Sequence, residues 1–319
     1  MAARVVNMSN AKRVAVVFGA GGTLGAAWMI GGLAALQERI GRPLHEVDTV
    51  VGTSAGSVVA AAVRHGFTPA DLVAHQLGTG AAHLPEAAEF EHDSGRLPSR
   101  PQMRLGSPRM LATAVLAPHS VHPRALASAL LPRGRSEHHT LRRYVQTLVR
   151  DDPGRWPERT TWIVGVDYEC GRRVVFGRPG SPPASLPDAV VASCSIPGWH
   201  RPTMIGDRRY VDGGVCSETS VDLLHTEQFD EVYVLAPMAS HHTDRPWHPA
   251  LRAERLMRQA FAARLDREAR KVAGTGAKVT VLTPGPADLE AIGLNLMDGR
   301  RRHAVLRTAQ VTLAEALRS

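Results

Sequence analysis

Cysteine and lysine are both scarce in this chain of 319 residues. Its cysteines, Cys170, Cys194 and Cys216, have neither disulfide-scaffold spacing nor zinc-ligand spacing, so they read as reduced core thiols. No metal or other cofactor is expected. Only Lys12, Lys271 and Lys278 are lysines, so the net charge of +8 is carried almost wholly by arginine. The arginines are scattered, and aromatic residues make up only 5% of the chain, too few for the stacking platforms of a nucleic-acid binder. A nucleic-acid partner is therefore not expected. Arginine does suit anionic head groups through its planar fork, while high Ala and Arg also fit a compositional bias of the source genome. Long apolar runs are missing too: Gly, Arg or Pro interrupts every candidate membrane span. Met1 to Lys12 lacks the apolar stretch of a signal peptide. These absences predict a cytoplasmic protein whose contact with a membrane is peripheral, on the inner face.

What is present is an ordinary apolar share of 44%, enough for one large α/β core. Strand-like runs, Val14–Phe18, Leu44–Val51, Thr160–Val166, Glu231–Leu235 and Lys278–Leu282, alternate with helix-compatible stretches. That alternation predicts a mainly parallel central sheet with helices on both faces. A single domain over 13–319 is expected, preceded by a tail at 1–12. Residues 84–159, rich in Pro, Arg, His and Gly, read as a cap or lid of helix and loop inserted into it. Within that insertion, the pair His138-His139 has no third ligand at metal spacing and reads as a solvated loop.

One stretch organises the rest. Val50-Val51 enters Gly52-Thr53-Ser54-Ala55-Gly56, and Ser57-Val58-Val59-Ala60 leaves it. This is the pattern of a nucleophile elbow, a strand bending into a helix with serine at the bend. Gly52 and Gly56 allow the close approach that the bend requires. The amides that open the following helix, from Ala55, face the place where an anion develops. The plainer alternative is a tight turn with a surface serine. Upstream, Val14–Phe18 runs into Gly19-Ala20-Gly21-Gly22-Thr23-Leu24-Gly25. A dinucleotide fingerprint is out of register here, because Leu24 stands where the third glycine belongs. Right-handed crossover predicts parallel, neighbouring strands with both turns at one edge, so amides near Gly21 and Gly22 face Ser54.

A serine hydroxyl needs a base. Of the later histidines, His200 has the best setting. Asp212 is the sharper candidate: it ends a β-favourable run and is followed by Gly213 and Gly214, although Asp-Gly also marks an ordinary hairpin turn.

The glycine-rich turn, Gly52-Thr53-Ser54-Ala55-Gly56 and Asp212-Gly213-Gly214 stand in one order. Together with Ala192-Ser193-Cys194-Ser195-Ile196-Pro197 they resemble the patatin-like phospholipases. The likeness covers Val14–Arg64 and Thr160–Leu223, reaches loosely to Asn295–Asp298, and omits the insertion. It implies a patatin-like three-layer α/β fold and a carboxylic ester hydrolase with a Ser-Asp dyad and no histidine. Carried over by position, Ser54 is the nucleophile and Asp212 the base. Ala20, Gly21, Gly22 and Ala55 become the oxyanion hole, and Gly25, Gly52, Gly56, Gly213 and Gly214 are motif glycines. The implied substrate is a phospholipid or another acyl-ester lipid, of the phospholipase A or lysophospholipase type. Two residues depart from the family pattern: Ala20 stands in place of a common glycine, and Leu24 in place of a basic residue. Acyl transfer by the same dyad, or a catalytically impaired nucleotide-binding module, are the alternative readings.

Overall fold

In a computed structural model, the described residues are 12–79, 102–117, 119, 121–149, 156–244 and 246–318. Residues 1–11 of the expected tail, and 84–101 and 150–155 of the expected insertion, lie outside them. The chain opens with β1 (Val14–Phe18), α1 (Gly22–Ile40), β2 (Thr49–Thr53), α2 (Ala55–Arg64) and α3 (Pro69–Leu77). Residues 102–149 supply β3 (Gln102–Leu105), α4 (Pro108–Leu116), α5 (Pro123–Ala129), β4 (Pro132–Arg133) and α6 (His139–Val149). Then follow β5 (Thr160–Asp167), β6 (Arg173–Phe176), α7 (Leu186–Ser193), β7 (Thr203–Ile205) and β8 (Arg208–Asp212). The chain continues with β9 (Glu231–Leu235), α8 (Pro249–Ala273), β10 (Lys278–Leu282), α9 (Pro286–Ile292) and α10 (Arg302–Arg318).

The main sheet runs β10-β9-β1-β2-β5-β8-β7, with β6 also paired to β5. The five strands from β10 to β5 are parallel, and β8, β7 and β6 join antiparallel. Alternation along β1 divides the core. Val14, Val16 and Phe18 face a cluster with α1, α2, α7 and α10, while Ala15 and Val17 face the cluster on the α8 side. Side chains leave a strand on alternate faces, so these two apolar sets give the three-layer arrangement its middle and its two outer layers.

Capping residues set several helix boundaries. The Thr68 hydroxyl accepts from the Asp71 amide while Asp71 reaches back to the Thr68 amide, starting α3 with Pro69 at its first position. Ser185 accepts from the Asp188 amide at the start of α7. The buried Arg64 at the end of α2 donates to the carbonyls of His45, Val47 and Thr160, tying that helix to the strand ends below it.

The expected strands are present, although Leu44–Glu46 forms a 3-10 turn and β2 begins only at Thr49, and α1 starts at Gly22 within the glycine-rich turn. Several pieces escaped the sequence reading: the small β3-β4 pair, β7 and α9. The 102–149 region docks on the sheet through Met110, Val121, Ala125 and Ala129, which pack against Val166, Tyr168 and Val211.

Candidate active site

Strand register brings the two named residues together. Phe18 pairs with Gly52, Thr53 with Val164, and Gly165 with Asp212. Ser54, one residue past Thr53, therefore lies level with Gly165 and Asp212 across the carboxyl edge of β2 and β5. The Ser54 side chain lies close enough to the Asp212 carboxyl to favour its charged form, and both residues are buried.

Local sterics explain why small residues surround the serine. Ser54 sits at φ 54°, ψ −125°, outside the regions that side-chain-bearing residues prefer. Such a conformation costs on the order of 1–3 kcal/mol and persists only where its surroundings enforce it. A Cβ on Gly52 would meet the Ser57 Cα at 2.6 Å, and one on Gly56 would overlap the Phe18 carbonyl. Side chains that were not singled out individually in the sequence hold the bend. The Ser54 amide donates to the Ser193 hydroxyl at 2.9 Å, and that hydroxyl donates to the Val164 carbonyl at 2.6 Å. Ser57 donates its hydroxyl to the Ser54 carbonyl at 2.6 Å. The Asp212 amide donates to the Ser195 carbonyl at 3.0 Å. The Ala192–Pro197 motif had pointed to this segment, but the separate duties of Ser193 and Ser195 had no signal of their own.

Burial pushes the Asp212 carboxyl up to about 6, against the Ser54 side chain and the Gly214 amide, which lower it, while Glu218 raises it further. The Gly214 amide donates to Asp212 Oδ1 at 2.7 Å. The carboxylate thus becomes a better proton acceptor than a free aspartate while remaining ionised at neutral pH.

The expected anion-binding amides divide. Gly21, Gly22 and Ala55 have amides that donate to no partner among the described residues. The Ala20 amide instead donates to the Glu218 carbonyl at 2.7 Å, which corrects its expected place in the oxyanion hole. Gly21 is packed against Pro237, and Gly22, at φ +59°, against Met297. Of the other motif glycines, Gly25 adjoins Pro237 and Gly213 adjoins the Val164 carbonyl, whereas Gly214 has its nearest neighbours in Asp212 and Ala20. Leu24 is fully buried in the core beneath α1, so no basic side chain stands there.

The histidines are arranged differently from expectation. His138 is not in a solvated loop: its ring stacks on His200 with centroids 3.9 Å apart, and its Nε2 lies 3.0 Å from the Cys194 carbonyl oxygen. His139 remains exposed beside Glu137. His200 is held down to about 3, by burial first and by His138 second, and its Nδ1 has no hydrogen-bond partner among the described residues. No hydrogen bond joins it to Ser54 or Asp212 among those residues. No group of His, Cys, Asp and Glu suited to a metal ion occurs among the described residues.

Beside Ser54 opens a cavity of about 170 Å³, mostly apolar, between α1, α2, α3 and α6. His75, Gln76, Tyr144 and Arg302 supply polar groups to its wall. Among the described residues, no helix is long and apolar enough to cross a membrane.

The family model for patatin-like phospholipases matches residues 16–225, well over half of the chain and inclusive of both Ser54 and Asp212. The chain belongs to the patatin-like phospholipase family. Membership supports lipid acyl hydrolase activity and lipid substrates. No curated protein matches in sequence. Among solved structures, VipD from Legionella pneumophila is 11% identical over 94% of this chain and 68% of its own, with a TM-score of 0.38, a likeness too loose to carry an argument. The patatin match ends before β9, so β9, α8, β10, α9 and α10 complete the sheet and its covering helices beyond it.

Proposed function

We propose that this protein is a serine ester hydrolase acting on acyl lipids through a dyad of Ser54 and Asp212. The observation that carries the reading is the register that sets the strained Ser54 level with a buried carboxyl, raised to about 6, at one sheet edge. Asp212 takes the hydroxyl proton as Ser54 Oγ bonds to the ester carbonyl carbon. The oxyanion is met by the amides of Gly21, Gly22 and Ala55. Collapse breaks the ester C–O bond, Asp212 returns the proton to the leaving alcohol, and an acyl-Ser54 remains. Asp212 then takes a proton from water, whose oxygen attacks the acyl carbonyl and frees the acid and the serine. An oxyanion donor of this kind is worth roughly a hundred- to a thousandfold in rate. The fixed backbone around Gly21 and the first turn of α2 supports such preorganisation.

The fully buried thiol of Cys194 is pushed far up by burial, which disfavours it as an alternative nucleophile. The test is release of p-nitrophenol from short acyl esters by the wild type and by Ser54→Ala, with fluorophosphonate labelling mapped by mass spectrometry. Turnover that depends on Ser54, with the label on it, supports the proposal. Retained turnover in Ser54→Ala overturns it.

A further inference from the structure

The helices flanking Ser54 form a trough of measurable depth. On α1 the cavity wall runs from Gly22 to Ile30, and on α2 it runs from Ser54 to Ala62. Both helices start at the same sheet edge, and on each the wall spans nine residues, eight steps or about 12 Å at the helical rise. Small or branched side chains, Ala26, Val58 and Val59, leave the space between. The far end is lined by buried apolar side chains. Ile30 and Ala62 are almost wholly buried, and so is Leu72, which sits one turn into α3 after a short turn from the end of α2. Beyond them, Leu33 and Val63 belong to the packed core.

We infer that this trough is an acyl-chain ruler, with Ile30, Ala62 and Leu72 as its floor, and that the protein takes medium-chain acyl groups in preference to long ones. The inference rests on the acyl-hydrolase reading of Ser54. An extended chain advances roughly 1.2 Å per backbone bond, so ~12 Å holds about ten bonds. The cavity volume of about 170 Å³ agrees. An apolar cavity of about 150 Å³ in another protein binds benzene, so the space here suits a guest of at least about six carbons. Together these bracket the preferred acyl group at about six to ten carbons. A palmitoyl chain would overrun the floor or leave its end in water.

The experiment measures kcat/KM on p-nitrophenyl butyrate, hexanoate, octanoate, decanoate, laurate and palmitate, below their aggregation limits. Burial of each added methylene is expected to raise kcat/KM by about fourfold until the floor is reached. The rise ends between octanoate and decanoate, and laurate and palmitate fall below the peak. Ala62→Phe shifts the peak to a shorter ester. Leu72→Ala and Ile30→Ala, separate routes to the same readout if Ala62→Phe does not fold, shift it to a longer one. Each changes the laurate-to-hexanoate ratio by about tenfold or more, the value of a few methylenes. A wild-type profile that climbs through palmitate, or one profile shared by all folded variants, overturns the ruler while leaving the hydrolase intact. Absence of turnover on every ester, with Ser54 unlabelled by fluorophosphonate, overturns the hydrolase reading and the ruler with it.

Discussion

The sheet edge that carries Ser54 and Asp212 and the cap elements of residues 102–149 are held by different forces. At the edge, backbone is held closely on backbone, Gly56 on the Phe18 carbonyl and Gly213 on the Val164 carbonyl, while the Ser193 hydroxyl fixes the Ser54 amide. The cap touches the body closely at Gly106 against Tyr168 and at Gly134 against Trp199. Elsewhere it is joined by the buried apolar packing of Met110, Val121, Ala125 and Ala129 and by partly exposed ion pairs, Arg124 with Glu218 and Arg142 with Asp188. Pairs of that exposure each contribute little. The difference teaches that the placing of Ser54 and Asp212 is set by steric necessity in the sheet, whereas the cavity beside them is formed by the packing of α1, α2, α3 and α6.

The largest effect that would break this comparison lies at the edge. Asp212→Asn is expected to lower ester turnover by about a thousandfold or more, as removal of a catalytic base does when nucleophile and base act as a unit. The same variant is expected to melt higher at neutral pH. Because the folded carboxyl is raised to about 6 from an ordinary 3.8, the native state keeps its proton where the unfolded chain has lost it. Stability therefore falls as pH rises from about 4 to 6, by on the order of 3 kcal/mol, and stays reduced above that window. Asn carries no charge to bury. A lower melting temperature for Asp212→Asn at pH 7 would contradict this account of the site's strain.

Gly56→Ala should destabilise the fold by more than about 4 kcal/mol, since the added methyl overlaps a carbonyl in the strand beside it. Circular dichroism melts check this, and a near-native melt would contradict the steric argument. Ser193→Ala strands the Ser54 amide in a buried site, with an expected loss of about 1–3 kcal/mol of stability, read in thermal melts. Activity should also decline as pH falls through about 6, as Asp212 becomes protonated and can no longer accept from Ser54. At the small end, Arg142→Ala in the cap should change stability by less than about 1 kcal/mol. A loss as large as that of Gly56→Ala would erase the distinction between the two regions.

The same division governs what could be read from residues alone. Gly52, Gly56 and Gly213 stand where a Cβ would strike backbone, so their identities report geometry directly. Val14–Phe18 alternates between two cores, but its glycine-rich exit hid the start of α1, which begins at Gly22 within that turn. The position of Ala20 was legible, but the use of its amide was not. That amide meets the Glu218 carbonyl, a contact nearly two hundred residues distant that no local pattern encodes. His138 was misread for a similar reason: its surroundings in sequence are polar, and only docking of the cap against Trp199 and His200 buries its ring face. The trough beside Ser54 is likewise a product of four helices packing, written in small residues that in sequence look like any helix interior.

The most direct test compares the rate at which a fluorophosphonate labels Ser54 in the wild type, in Asp212→Asn and in His200→Ala. The dyad account predicts that labelling collapses in Asp212→Asn and stays within about tenfold of wild type in His200→Ala, which loses packing but no proton acceptor. Labelling that survives without the aspartate and vanishes without the histidine would contradict it.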